Sequence, residues 1–301
     1  MAEGRFPLDP TNPGEVFACL GFLEAAEVLW PGSSGGFVWS ADSVDFVLCA
    51  PGEQPPVEGV LRFLVEAEMR RCAPRAYTEP APQGRGRRRR TAAGPREEGG
   101  GDLPLERVET FPAPEAKVDG KTLPVLLQRG DCRLGLSCWC DASSREPFKL
   151  FAGQQRAPTI ASEMRALVRD LWQREREALT ERPFATRVAM GGGSFKLDAR
   201  KSWTAADAGY SPDEQGYAVA ASPVVELLGA AGLEHARPQA VGQRAALQFR
   251  YGVWRGTVLP PLARAALAAV PAAGPLRLYR FGLQRAGQNK VVTFAQEEIG
   301  S

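Results

Sequence analysis

Asp9-Pro10-Thr11-Asn12-Pro13-Gly14-Glu15-Val16-Phe17-Ala18-Cys19-Leu20-Gly21-Phe22-Leu23-Glu24-Ala25-Ala26 is built as a helix entry, and the fold grows from it. Asn12 can accept a hydrogen bond from an orphan amide of the first turn. Pro13 stands where a missing N–H costs nothing, and Glu15 completes a capping box. The spacing predicts a helix over residues 12 to 30 with Val16, Leu20 and Leu23 on its apolar face, ended by Pro31 and Gly32.

Working outward, Phe37 to Trp39 and Val44 to Leu48 read as a hairpin, and residues 56 to 72 as a second helix carrying Val60, Phe63, Leu64 and Ala67. Thr122 to Gln128 and Arg133 to Trp139 have the apolar content of strands. The clearest helix spans Thr159 to Leu179, with Ile160, Met164, Leu167, Val168 and Leu171 as its stripe. Its other side, with Arg165, Arg169, Arg174 and Arg176, reads as a solvated face. Ser222 to Gly232 is a capped short helix, Leu247 to Trp254 a strand, and Leu262 to Val270 an alanine-rich helix. Leu276 to Leu283 and Val291 to Phe294 form a last hairpin, turning through Ala286 to Asn289. Helices and strands alternate without a βαβ repeat, which predicts an α+β fold with mainly antiparallel sheet.

Between Pro80 and Pro104 almost nothing is apolar, so this Arg/Gly/Pro-rich stretch is expected to be a long disordered loop. The chain then divides into a helix–hairpin–helix part over 1–78, a flexible basic segment over 79–121 and the main part over 122–301, continuous with the first.

Bulk properties exclude several classes. No apolar run reaches the roughly 18 residues of a membrane span, and no basic region followed by an apolar stretch opens the chain, so a cytoplasmic protein is expected. Six cysteines in 301 residues are too sparse for a disulfide scaffold. Cys138-Trp139-Cys140 has no second pair to complete a zinc site. The single His235 excludes a two-histidine metal site and reads as a polar loop residue. Asp198, Asp207 and Asp213 share a region, but their surroundings look like turn and cap chemistry. No cofactor, no metal and no enzymatic activity are expected.

What remains is charge. Arg85 and Arg87, Arg88, Arg89 and Arg90 form a cluster that stays solvated until a polyanion meets it. Phosphate contacts there would give affinity without base specificity. On the later strands Arg250, Arg277 and Arg280 alternate with aromatics, a pattern that suits backbone contact and base stacking. Gly191, Gly192 and Gly193 lack the spacing of a nucleotide-binding loop and precede an expected strand. They fit a plain turn or a close backbone approach.

The opening stretch also resembles the non-catalytic subunits of type I-U (I-G) CRISPR–Cas effector complexes, in Asn12-Pro13-Gly14, Ala18-Cys19, Leu23-Glu24-Ala25-Ala26 and Leu29-Trp30-Pro31-Gly32. Trp203 to Pro212 is similar to a further block of that family. So are Pro223-Val224-Val225-Glu226-Leu227-Leu228 with Gly232-Leu233 and Arg237-Pro238, and Tyr251-Gly252-Val253-Trp254 with Leu259-Pro260-Pro261-Leu262-Ala263. The resemblance implies a non-enzymatic subunit of a crRNA-guided surveillance complex in antiviral defence. Its partners would be crRNA, target DNA and other effector subunits in a hetero-oligomer, with a contribution to target-motif recognition. Gly21-Phe22 departs from the family's more aliphatic pair, and the arginine-rich loop is an addition to its pattern. The competing reading is a protein–protein scaffold whose basic loop touches no nucleic acid.

On either reading the Asn12 and Glu226 helices are structural. Alanine at Asn12 is expected to cost about 1 kcal/mol in urea unfolding and to leave nucleic-acid affinity unchanged; a selective loss of binding would contradict this.

Overall fold

The computed structural model describes residues 1–40, 43–78, 103–111, 123–141, 146–152, 155–190, 193–201, 220–242, 248–271, 274, 276–286 and 288–298. Helix α1 (Pro13–Leu29) starts as its sequence dictates, with Asn12 accepting from the Gly14 amide at 3.2 Å. It differs from expectation in having no solvent face. Every residue from Pro13 to Ala26 is buried, so the apolar stripe is only one side of a helix that is covered all round.

Its covers are three layers. A first sheet holds β1 (Ala2–Leu8), β2 (Ser34–Trp39), β3 (Val44–Ala50) and β12 (Gly256–Val258) in the order β1-β3-β2-β12. Strands from both ends of the chain therefore share one sheet. A second sheet is formed by β10 (Gln239–Val241), β11 (Gln248–Trp254), β13 (Leu276–Ala286) and β14 (Asn289–Val292), with β15 (Gln296–Glu297) also paired to β13. Phe22 of α1 meets Phe6 and Phe184 on the first side, while Phe17 meets Phe148, Tyr251 and Phe281 on the second. One helix thus carries aromatic contacts to both sheets.

The third cover is helix α5 (Pro223–His235), which lies along α1 in the same direction. The starts of the two helices share Asp198, and their ends share a Glu24–His235 contact at 3.5 Å. Backbones touch here. A Cβ on Gly21 would overlap the Leu228 carbonyl, and one on Gly232 would overlap the Phe17 carbonyl. Two apolar helices gain dispersion from such closeness only where neither carries a side chain at the crossing.

Helix α2 (Pro56–Glu66) is shorter than expected. The chain leaves it after Glu66, and Glu68–Pro74 forms strand β4. Residues 56 to 72 therefore hold a helix and a strand, because Met69, Cys72 and Ala73 are buried in a sheet with order β5-β4-β6-β7. Here β5 is Leu105–Val108, β6 Val125–Arg129 and β7 Cys132–Gly135. Strand β5 pairs parallel with β4, so part of the segment 79–121 is ordered sheet; residues 79–102 and 112–121 lie outside the described residues. The second expected strand over 133–139 ends at Gly135, and Cys138–Asp141 is a helical turn, α3. Among the described residues all other strand pairings are antiparallel, including a small sheet of β8 (Val188–Ala189) and β9 (Ala220–Ala221), and with six helices alongside the protein is α+β.

Helix α4 (Ala157–Glu181) buries Ile160, Met164, Val168 and Leu171 as its period requires. Its supposed solvated face is partly wrong. Arg165 is buried and donates to the carbonyls of Leu64, Val65 and Ala67, with Arg169 adding a bond to Val65 at 2.8 Å. Those are the orphan carbonyls at the end of α2, so arginines of one helix cap another. Helix α6 (Pro260–Leu267) closes the far side, its Arg264 paired with Glu24 of α1 at 2.6 Å.

Because the helix crossing admits no side chain, Gly21→Ala should destabilise the protein by at least about 3 kcal/mol in urea unfolding. A loss under about 1 kcal/mol would contradict the backbone contact.

Candidate functional site

Two clusters of charge stand out, one buried and one on a sheet surface. The buried cluster sits where α1 and α5 begin. The Asn12 amide oxygen accepts from Ala199 N at 3.0 Å as well as from Gly14, and its nitrogen donates to Asp198 Oδ1 at 3.0 Å. Asp198 Oδ2 accepts from the Ser222 amide at 3.0 Å, and Ser222 Oγ caps α5 by accepting from Val225 N. Arg200 forks onto Asp198 through Nε at 2.7 Å and Nη2 at 2.5 Å, and lies 3.5 Å from Glu15. One carboxylate thus faces the positive ends of two helix dipoles and a guanidinium.

Glu15 and Glu226 border this hub. Burial pushes the Glu15 carboxyl up to about 7, against the pull of a backbone bond from Asp9 and of Arg200. Burial also raises Glu226, whose Oε1 accepts from Asp198 N at 3.2 Å and whose Oε2 has no hydrogen-bond partner. Asp198 and Glu226 have no exposed surface. The hub therefore fixes helix starts and presents no oxygen to solvent. Asp207 and Asp213 lie outside the described residues. Asn12 emerges as more than a cap, since truncation leaves the Ala199 amide without its acceptor in the interior and removes one of the donors to Asp198. The cost of Asn12→Ala rises accordingly to about 2–4 kcal/mol.

The surface cluster lies on the second sheet. In the β11–β13 register Arg250 stands directly opposite Arg280. Two like charges at that position repel, and Glu298 lies between them. Its Oε1 accepts from Arg280 Nε at 2.5 Å and from an Arg250 terminal nitrogen at 3.2 Å, while Oε2 lies 2.7 Å from Arg250 Nε. Burial works against the Glu298 charge, and bonds from the two arginines overcome it and hold the carboxyl below its ordinary range. Arg277 falls on the opposite face, over the Trp39 ring at 4.9 Å and 3.7 Å from Glu297.

These positions correct part of the sequence reading. Phe249, Tyr251, Tyr279 and Phe281 do not present rings for base stacking, because all four are buried, Phe249, Tyr251 and Phe281 beside Phe17 or Phe148 and Tyr279 on Tyr251. Tyr251 stacks on Tyr279 with centroids 5.5 Å apart and donates to the Pro10 carbonyl at 2.6 Å. Arg250 and Arg280 come together; Arg277 does not join them. Gly193 donates to Glu163 Oε2 at 3.1 Å, and irregular chain rather than a strand follows it to Asp198. Gly191, Gly192, Arg85 and Arg87 to Arg90 lie outside the described residues. His235 closes α5 beside Glu24 instead of standing in a loop, and burial lowers its pKa. All six cysteines are free, and no group of three or more acidic, histidine or cysteine side chains suited to a metal occurs among the described residues.

Sequence reasoning missed Glu298 and Arg200. Alternation put Arg250 and Arg280 on strands, but only the register sets them opposite each other and brings Glu298 over both. Comparison with protein-family models, curated proteins and solved structures finds no match to this chain.

The raised Glu15 carboxyl carries a definite sign. The native state holds its proton more tightly than the unfolded chain does, so its contribution is complete below about pH 4.5 and is lost as pH rises toward about 7. Wild type should lose about 1–3 kcal/mol between about pH 5 and about pH 8 that Glu15→Gln retains, since glutamine keeps the acceptor for Asp9 without the charge. Urea unfolding across that range checks it, and equal slopes for the two proteins would contradict it.

Proposed function

We propose that this chain is a non-enzymatic subunit of a crRNA-guided type I CRISPR–Cas surveillance complex, similar to the type I-U (I-G) subunits its sequence resembles. In this reading it contacts the sugar–phosphate backbone of crRNA or target DNA within a hetero-oligomer.

One observation carries the proposal. Three of the four blocks that hold the resemblance touch one another in space; the fourth, Trp203 to Pro212, lies outside the described residues. Tyr251, of the Tyr-Gly-Val-Trp block, bonds to Pro10 just before Asn12. The Pro223 block packs on α1 through Gly232, and Ser222 and Glu226 join Asn12 around Asp198. Trp254 donates to Gly35 at 3.0 Å, and Arg264, one residue past the Leu259 to Ala263 block, holds Glu24. The described blocks thus contribute to a single framework, as motifs shared by a family would.

Charge supports the nucleic-acid half of the reading. Many arginines of the ordered chain are matched by carboxylates, as Arg5 is by Asp45 and Arg129 by Glu66. From Pro80 to Arg96 the sequence has no acidic residue, while Arg85, Arg87 to Arg90 and Arg96 stand together. Such a run is selective for polyanions and indifferent to base identity.

The test is affinity for short duplex DNA, single-stranded DNA and RNA across a salt series. Wild type should bind, and changing Arg87 to Arg90 to alanine should lower the log–log salt slope by roughly three. Absence of binding at low salt, or an unchanged slope in the variant, would overturn the proposal in favour of a scaffold.

A further inference from the structure

The Arg250–Arg280 pair is an anion fork with an imperfect occupant. The two guanidinium groups face the same side of β11 and β13 from directly opposed positions, so their spacing is set by the sheet ladder and does not depend on side-chain chance. One carboxylate, Glu298, answers both, leaving the trio with net positive charge. The fit is incomplete. Arg250 Nε is buried and lies 2.7 Å from Glu298 Oε2, yet its N–H is not aimed at any acceptor. A buried donor left unmade destabilises the free protein, and a better-shaped anion would satisfy it.

The occupant is also lightly held. It follows β15, which has only two residues, both exposed, and pairs with β13 alone. Among the described residues Glu298 itself is tied by one backbone bond, to the Leu278 carbonyl at 2.7 Å. Arg280 is 44% exposed and the fork opens onto a sheet surface, so an extended chain of anions can run across it.

We propose that Arg250 and Arg280 form a binding site for a phosphodiester of a nucleic-acid backbone, and that Glu298 occupies this site in the free protein and is displaced on binding. Guanidinium forks match the two unesterified oxygens of a phosphodiester as they match a carboxylate. Glu298 is then an internal competitor that suppresses weak, non-specific binding by the free chain. This inference rests on the nucleic-acid reading above, with Arg277 excluded from the site because it lies on the other face.

The experiment measures binding of a labelled single-stranded oligonucleotide of about 20 residues, as RNA and as DNA, to the full chain. Glu298→Gln should raise affinity roughly 3- to 10-fold and steepen the salt slope by about one. Glu297→Gln makes the same charge change one residue away, at Arg277, and should alter affinity less than about 2-fold. Adding Arg280→Ala to Glu298→Gln should cancel the gain. Thermal melts of each variant establish that it is folded. If Glu298→Gln and Glu297→Gln have equal effects, or if the gain survives Arg280→Ala, the fork is overturned while binding through Arg87 to Arg90 still stands. If no protein binds at low salt, the functional reading falls and the fork with it.

Discussion

The starts of two buried helices are brought against one carboxylate. Everything else in the molecule is arranged around that constraint. Helices α1 and α5 are too apolar to face water, and burying them buries their first amides, which need acceptors. Asn12 and Ser222 provide caps, and Asp198 ties the two starts together with Arg200 to balance its charge. Glycines at the crossing then let the backbones approach, and the sheets close over the remaining sides of α1. Losing the hub would leave two sets of orphan amides in the interior, so its acidic and amide side chains are a condition of the apolar packing and not an exception to it.

Much of this was legible in the sequence. Asn12-Pro13 and Ser222-Pro223 announced two helix starts because capping is local chemistry, decided within four residues. The strands expected over 247–254 and 276–283 followed from alternation, the second running on to Ala286, and the turn at the last hairpin from composition. What was not legible is what depends on distance. Residues 56 to 72 carry helical spacing up to Glu66 and continue apolar afterwards, so only the sheet partners β5 and β6 distinguish strand from helix there. Arg165 looked solvated because its helix position is polar by pattern, yet the end of α2 offers carbonyls that no local signal reveals.

The surface site shows the same division. Residue type singled out Arg250, Arg277 and Arg280, and alternation separated Arg277 from Arg280. The register of β11 on β13 is a tertiary fact, and it alone makes two of these arginines a pair. The aromatics beside them illustrate the opposite error. Their interleaving with arginine invites a stacking platform, whereas Tyr251, Tyr279 and Phe281 belong to the core that holds Phe17. A surface built this way offers charge to a ligand and leaves its rings inside.

The first sheet joins β1, β2 and β3 to β12, whose residues come more than two hundred positions later. During synthesis the most apolar helix of the chain is made some two hundred residues before its neighbour α5 and the closing strand β12. Until those later residues are made α1 lacks its cover, and β2 presents an open edge along Gly35 and Gly36. Contacts of such long sequence separation form slowly and leave a nascent chain exposed to association with others. The architecture that makes the finished molecule tight at its centre thus concentrates the hazards of its biogenesis in its first forty residues, and ties its yield to whatever shelters that segment until the last third arrives.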